Sequence, residues 1–206
     1  MTKPIIYLIT EGNLTEENFA DNKQRIFKLV EIAVENKISF IQVREKQVSS
    51  KLVFELASQA VKITKNSQTK LLVNDRADIA LAANADGVHL TENSIPAEII
   101  RKNFPEKFII GVSTHSLKAA EKAKKQGADF VTFSPVFSSP GKGEPQGLGN
   151  LTEICKKLKP FPVLALGGID ETNYRSVLQS GANGFAAIRF LNKAENLQKL
   201  KREFFD

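Results

Sequence analysis

Three polar side chains recur at every second position of the segment IQVREK: Gln42, Arg44 and Lys46. Because successive side chains of a strand point to opposite faces, all three project to the same side if this segment is extended. Two cations on one side need an anionic partner. That partner is either a carboxylate of a neighbouring strand, which makes a structural salt bridge, or a bound phosphate, which makes a binding site.

A second polar group follows the apolar run LLV, where Asn74 and Asp75 come next. An aspartate at the end of a strand can hold a divalent metal ion or contact a ligand amine. It can equally accept amide hydrogen bonds from a helix that starts near Ala77. The residues alone favour neither interpretation over the other.

The segment STHS contains Ser113 and His115, one of only two histidines in the chain. An imidazole exchanges protons near neutral pH, so His115 is a candidate general acid or base. In the alternative interpretation this Ser/Thr-rich turn caps a helix and the imidazole only packs. The other histidine, His89, lies inside a predicted strand, where a hydrogen-bonded core position is expected.

Glycine-rich loops supply the remaining candidates. The segment FSSPGKGEPQG carries Ser139 and Lys142, and such a loop either closes over a substrate with its cation or is a plain surface connection. After VLAL, Gly168 belongs to a Gly-Gly pair whose backbone amides could approach a phosphate. Arg189 ends the last predicted strand.

Short aliphatic runs alternate with helical periodicity along the whole chain, which is typical of repeated βα units on a parallel sheet. We predict strands at 5–10, 40–45, 70–75, 87–90, 108–113, 130–135, 162–168 and 184–189. Helical spacing of apolar residues is found at 24–36, 50–66, 96–104, 117–127, 151–159, 172–181 and 197–205.

A weak internal repeat, NADGVHL, GADFVTF and GANGFAAI, places a small residue and a turn residue before three of the strands. Eight units with short connections favour a closed (β/α)8 TIM barrel of the α/β class, forming a single domain over residues 1–206. A doubly wound sheet is the alternative fold. In such a barrel the active site lies at the carboxyl ends of the strands, where the polar candidates are found.

Composition narrows the choice of partners. The chain has 206 residues, a net charge of +6, two tyrosines and no tryptophan. The lysines are spread along helices without interleaved aromatics, so anionic small molecules are favoured over nucleic acid. No apolar run is long enough to span a membrane, and we expect a cytoplasmic protein. The single cysteine, Cys155, is expected to be a buried, inert thiol.

Together the motifs resemble the thiamine phosphate synthase and TenI family over nearly the whole chain. The matching segments are IQVREK, LLVNDRADIALAANADGVHL, IIGVSTHSLKAAEKAKKQGADFVTFSPVF, VLALGGIDETN and SGANGFAAI. The resemblance implies a transferase that joins hydroxymethylpyrimidine diphosphate to thiazole phosphate, giving thiamine phosphate and pyrophosphate. A TenI-like thiazole tautomerase and a non-catalytic binding or regulatory protein are the alternatives. A homodimer is compatible with a barrel of this size.

The resemblance also implies residue roles. In synthases of the family the pyrimidine diphosphate is bound by positions that correspond to Gln42, Arg44, Lys46 and Asn74, and Asp75 corresponds to a ligand of the cofactor Mg²⁺.

Further roles follow for residues of the later loops. Ser113 corresponds to a serine near the reacting centre and Lys142 to a loop lysine that meets the diphosphate. Gly168 corresponds to a glycine whose backbone binds the thiazole phosphate. A histidine matching His115 transfers a proton in the tautomerases.

Three positions depart from the family pattern. Ser94 stands where synthases have a second magnesium-binding aspartate. In the strand-six loop Ser139 is the one hydroxyl retained from a Thr-x-Thr-Lys motif, and Arg189 replaces a usual serine. An arginine there either adds a phosphate contact or blocks the pocket.

Overall fold

The computed structural model describes residues 3–206 and contains a closed barrel of eight parallel strands in chain order. The predicted (β/α)8 fold is therefore confirmed. The strands are β1 (Ile5–Ile9), β2 (Phe40–Val43), β3 (Lys70–Asn74), β4 (Gly87–Leu90), β5 (Ile109–Thr114), β6 (Phe130–Phe133), β7 (Val163–Ala165) and β8 (Gly184–Ala187). The helices are α1 (Phe19–Glu35), α2 (Ser50–Thr64), α3 (Ala77–Ala82), α4 (Ala97–Asn103), α5 (Leu117–Lys125), α6 (Gly147–Leu158), α7 (Tyr174–Gln179) and α8 (Ala194–Phe204).

Several strands end earlier than the sequence predicts. β3 ends at Asn74 because Asp75 adopts a left-handed conformation with φ of 56°. β7 ends at Ala165, ahead of Gly167 and Gly168, whose φ angles are 98° and 64°. A left-handed residue breaks the extended backbone that a strand requires, so these polar and glycine positions lie in loops.

By its internal contacts the chain falls into two compact units, which are described in turn. The first unit comprises Tyr7–Val88 and Ile188–Asp206, and the second unit comprises residues 3–6 and His89–Ala187. The interpretation of residues 1–206 as one domain stays a prediction.

The internal repeat has a common hydrogen-bonding role. In each copy the Asp or Asn before a strand donates its backbone N–H to a carbonyl of the preceding strand, and its side chain accepts the N–H of that same residue. The pairs are Asp86 with Leu71, Asp129 with Ile110 and Asn183 with Val163, with side-chain distances of 2.8, 2.7 and 3.0 Å. Each copy therefore fixes the beginning of one strand against the next.

Cys155 is buried on α6, and burial raises the pKa of its thiol to about 11. A thiol that stays protonated is a poor nucleophile, in agreement with the expected inert role. None of the helices in the described part of the chain has the length and apolar character that crossing a bilayer requires.

Candidate active site

In the first unit, the alternating side chains at the end of β2 lie at different depths. Gln42 is only 1% exposed, and its Nε2 donates a 2.6 Å hydrogen bond to the hydroxyl of Tyr7. Burial raises the pKa of this tyrosine well above its ordinary value, which keeps the hydroxyl protonated. Arg44 is half-buried and Lys46 is exposed. The polar row thus runs from the interior to the surface.

The backbone around Arg44 is tied to the end of β1. The amide of Arg44 donates to the Thr10 hydroxyl at 2.9 Å, and the amide of Thr10 donates to the Gln42 carbonyl at 3.0 Å. Parallel pairing of β1 with β2 therefore continues one step beyond the regular strands.

Glu45 is not among the candidate residues predicted from the sequence, and this residue is only 5% exposed. Its Oε1 and Oε2 accept hydrogen bonds from the amides of Gly12 and Leu14, at 3.2 and 3.0 Å. A period of two predicts that Glu45 lies on the side opposite to the polar row, yet Glu45 lines a pocket together with Lys46 of that row.

Asn74 and Asp75 lie together at the end of β3. The Asn74 amide donates a 3.0 Å hydrogen bond to the Asp75 carboxylate. Both residues line a pocket of about 330 Å³ together with Lys46 and Arg76. Glu45 also lines this pocket. Two carboxylates, an amide and two cations at one pocket can bind a phosphate group and a hard metal ion.

The N-cap position of α3 is occupied by Arg76 and not by Asp75. The Arg76 side chain makes no capping hydrogen bond to the helix. Its guanidinium forms a two-point contact with Asp78, with Nε 2.8 Å from Oδ1, and donates to the Ser50 hydroxyl. The hydrogen bond from Arg76 lowers the pKa of the Asp78 carboxyl. The contact with Asp78 orients the Arg76 side chain, which lines the pocket.

Arg189 lies in a turn after β8 and is exposed. The turn is held by Asn192, whose Nδ2 lies 2.7 Å from the carbonyl oxygens of both Ile9 and Ile188. Arg189 is absent from the lining of the pocket that Asn74 and Asp75 share.

In the second unit, Ser113 on β5 contacts the histidine of β4, His89. The Ser113 Oγ lies 3.0 Å from Nε2 of His89, which is 2% exposed and packs on the ring of Phe130. Gly111 makes room for this histidine, because a Cβ atom there would lie 2.7 Å from the imidazole Nδ1. The expected core position of His89 is found, but its contact with Ser113 was not predicted.

His115 follows β5 and is oriented by β6. Its Nδ1 lies 2.6 Å from the Ser134 carbonyl oxygen, and since a carbonyl only accepts, Nδ1 is the donor. In the neutral ring Nε2 then carries the lone pair, and it lies 3.8 Å from the Glu92 carboxylate. The imidazole can accept a proton at Nε2, and the Glu92 carboxylate would face the resulting charge.

Ser94 takes part in a turn of the loop after β4. Its hydroxyl accepts the amide of Thr91 at 3.0 Å and lies 3.1 Å from the Thr91 hydroxyl. The hydroxyl therefore has a structural role in the loop. Within the described residues there is no cluster of three or more His, Cys, Asp or Glu side chains that could hold a metal ion.

The loop after β6 is exposed around Lys142, whose amide donates to the Ser139 carbonyl at 3.1 Å. The loop is packed against the glycine pair that follows β7. A Cβ atom at Gly168 would overlap the carbonyl oxygen of Ser138 and lie 2.8 Å from Cβ of Phe137. Gly168 is therefore needed for close packing of this loop, whatever ligand its backbone binds.

Comparison with known proteins identifies the family. The family model described as thiamine monophosphate synthase matches residues 6–191. The chain is 37% identical to the thiamine-phosphate synthase of Clostridium novyi (strain NT) over 196 residues, which cover 94% of this chain and 93% of the relative. It is 35% identical to that of Caldanaerobacter subterraneus subsp. tengcongensis over 202 residues, which cover 93% of each.

A solved structure agrees with these relatives. Thiamine phosphate pyrophosphorylase from Pyrococcus furiosus superposes with a TM-score of 0.80 at 32% identity, covering 98% of this chain and 96% of the other. These comparisons confirm the family and the transferase activity predicted from the motifs. The roles of individual residues stay predictions. The chain belongs to the thiamine monophosphate synthase family.

Proposed function

We propose that this chain joins hydroxymethylpyrimidine diphosphate to thiazole phosphate and releases thiamine phosphate and pyrophosphate. The observation that carries the proposal is the family match over residues 6–191, together with relatives of that activity that align over nearly the whole chain. The polar residues implied by the resemblance support it, since they lie at or just beyond the carboxyl ends of their strands or in the loops that follow.

The reaction suits a site with many hydrogen-bond donors and few titratable groups. The carbon–oxygen bond between the pyrimidine methylene and the diphosphate breaks, and the electron-donating aminopyrimidine stabilises the cation that remains. The thiazole nitrogen then forms the new carbon–nitrogen bond with its own lone pair, so no base has to remove a proton. The protein must neutralise the departing diphosphate and align the nitrogen.

In the first unit, Arg44, Lys46 and Asn74 bind the pyrimidine diphosphate. The exposed Lys46 and the Asn74 amide line the same pocket, where an anion can enter from solvent, and the half-buried Arg44 lies two positions before Lys46 and outside that lining. Gln42 lies deeper, and its hydrogen bond to Tyr7 fixes the orientation of its amide.

The residues at the end of β3 fit a magnesium ion that arrives with the diphosphate. Asp75 offers a carboxylate, and Asn74, whose Nδ2 is directed to that carboxylate, offers an amide oxygen. Mg²⁺ keeps several waters and is commonly held by one or two carboxylates and substrate phosphates, so a single carboxylate is sufficient. The ion would neutralise charge on the leaving pyrophosphate.

In the second unit, Ser113 and Lys142 act on the diphosphate and Gly168 offers its backbone to the thiazole phosphate. Ser139 binds substrate, and its backbone carbonyl accepts the amide of Lys142 in the same loop. His115 contacts substrate through Nε2, and its hydrogen bond from Nδ1 to the Ser134 carbonyl oxygen supports this role. In the first unit, the exposed Arg189 after β8 adds a phosphate contact.

We further propose that the enzyme works in the cytoplasm on small phosphorylated substrates and not on nucleic acid, and that it forms a homodimer. The net charge of +6 is consistent with anionic substrates.

A pyrophosphate-release assay tests the function. With both substrates we expect release that depends on Mg²⁺ and stops when either substrate is omitted. A matched His115→Ala variant separates the tautomerase alternative, which would convert the thiazole alone without metal and lose that conversion in the variant. Absence of pyrophosphate release from the mixed substrates with Mg²⁺ would overturn the proposal.

A further inference from the structure

The buried carboxylate of Glu45 lies directly beside the predicted diphosphate-binding cations. Glu45 follows Arg44 and precedes Lys46, and it lines the pocket of about 330 Å³ together with Lys46. It is only 5% exposed, whereas Lys46 is exposed. A buried carboxylate is costly unless hydrogen bonds compensate it, so its partners are expected to be specific.

Those partners are two amides of the loop between β1 and α1. One carboxylate oxygen accepts from Gly12 at 3.2 Å and the other accepts from Leu14 at 3.0 Å. Hydrogen bonds from backbone N–H groups to an ionised carboxylate are stronger than neutral ones. Glu45 therefore fixes the path of the loop around Gly12.

The same loop lies against the Arg44 side chain. Gly12 has a φ of 77°, and a Cβ atom there would lie 3.1 Å from Nη1 of Arg44 and 3.0 Å from its carbonyl oxygen. The backbone at Gly12 thus forms one wall beside the guanidinium. Because Glu45 holds that wall, the carboxylate limits the space open to the Arg44 guanidinium.

We propose that Glu45 is a positioning residue for Arg44: by holding Gly12 and Leu14, it confines the guanidinium to the orientation that binds the substrate diphosphate. The proposal rests on the proposed function, which gives Arg44 that role. Gly12 contributes to the same positioning, because a Cβ atom at this residue would lie 3.1 Å from Nη1 of Arg44 and would push the guanidinium aside.

Glu45→Gln is the direct test, since it keeps the shape but sets an NH2 group against a backbone N–H. The probe is inorganic pyrophosphate with Mg²⁺, titrated calorimetrically into the wild type, Glu45→Gln, Arg44→Ala and the double variant. We expect Glu45→Gln to weaken binding about tenfold in the wild type and to have no further effect in the Arg44→Ala background. A purely structural role would lower the melting temperature without this dependence on Arg44.

Glu16→Gln is the matched control. The exposed Glu16 carboxylate accepts the amide of Ser49 and links the same two loops. Among the described residues it makes no hydrogen bond or ion pair with Arg44. We expect this variant to bind pyrophosphate as the wild type does.

The outcomes separate the two proposals. If Arg44→Ala binds pyrophosphate like the wild type, the diphosphate site itself is wrong. If Arg44→Ala weakens pyrophosphate binding but Glu45→Gln does not, the positioning role is wrong. The positioning role is also wrong if Glu45→Gln weakens binding equally in the presence and in the absence of the Arg44 side chain. Should Glu45→Gln fail to fold, Gly12→Ala decides by the same comparison in the two backgrounds.

Discussion

Replacing Gly168 by alanine tests why glycine follows β7. Two costs are expected. Gly168 has a φ of 64°, and the left-handed conformation costs an L-residue about 1–2 kcal/mol. The new methyl group would also overlap the Ser138 carbonyl oxygen, and backbone cannot move away as a flexible side chain can. Forcing an extra methyl into a packed site costs about 1–3 kcal/mol more.

Two other glycines of this unit separate those costs. Gly141 has a φ of 71° but open space where its Cβ would be, so Gly141→Ala carries the conformational cost alone. Gly143 has open space and no left-handed φ, so Gly143→Ala should stay within about 0.5 kcal/mol of the wild type. We expect stability to fall in the order Gly143, Gly141, Gly168.

Thermal unfolding measures this order. A domain of this size loses about 2–4 °C in melting temperature for each kcal/mol, so Gly168→Ala should melt on the order of 10 °C below the wild type. At temperatures where both proteins are folded, Gly168→Ala should release pyrophosphate at least about tenfold more slowly than the wild type, since displacement of Ser138 moves the loop that carries Lys142. If Gly168→Ala and Gly141→Ala had the same melting temperature, close packing would not be the reason for glycine at position 168.

Three further predictions concern other parts of the chain. Arg44→Ala and Lys142→Ala should each slow pyrophosphate release at least about tenfold, because each removes a charge-assisted contact to the leaving group, and wild-type rates in both would contradict the assigned roles. Asp129→Ala should lower the free energy of unfolding in urea by about 2 kcal/mol, since the Ile110 amide loses its acceptor, and an unchanged urea midpoint would refute that reasoning. Because the pKa of Cys155 is raised to about 11, only about 0.1% of the thiol is ionised at pH 8, and iodoacetamide should label it far more slowly in the folded than in the urea-unfolded protein. Equal labelling rates would show that the thiol is not protected.

The fold was predictable because its signals are local. Each strand and helix has its own apolar period, and the repeat before three strands marks where the chain turns back. The ends of elements were less predictable. Asp75 looked like the last residue of β3 but has a left-handed φ, and α1 begins at Phe19, five residues ahead of the predicted start at Gln24. Tertiary contacts, which propensity does not contain, decide such ends.

The candidate site shows the same division. Motif positions such as Ser113 and Asn74 could be placed at strand ends from the sequence alone. The contacts of Ser113 and Glu45 could not be predicted, because their partners are distant along the chain: His89 lies 24 residues from Ser113, and Gly12 lies 33 residues from Glu45. From the sequence, the Glu45 carboxylate between two cations is expected to form an ion pair. In the structure it instead accepts hydrogen bonds from the backbone amides of Gly12 and Leu14.

The graded depth of the β2 row changes what its period implies. Alternation alone treats Gln42, Arg44 and Lys46 as equivalent, yet the structure buries the first, half-buries the second and exposes the third. A buried amide bonded to the Tyr7 hydroxyl cannot neutralise an anion, because it carries no charge and one of its donors is already used. Charge compensation therefore falls to Arg44 and Lys46. Of these, only the half-buried Arg44 is shielded enough from water for its orientation to matter, which is where Glu45 acts.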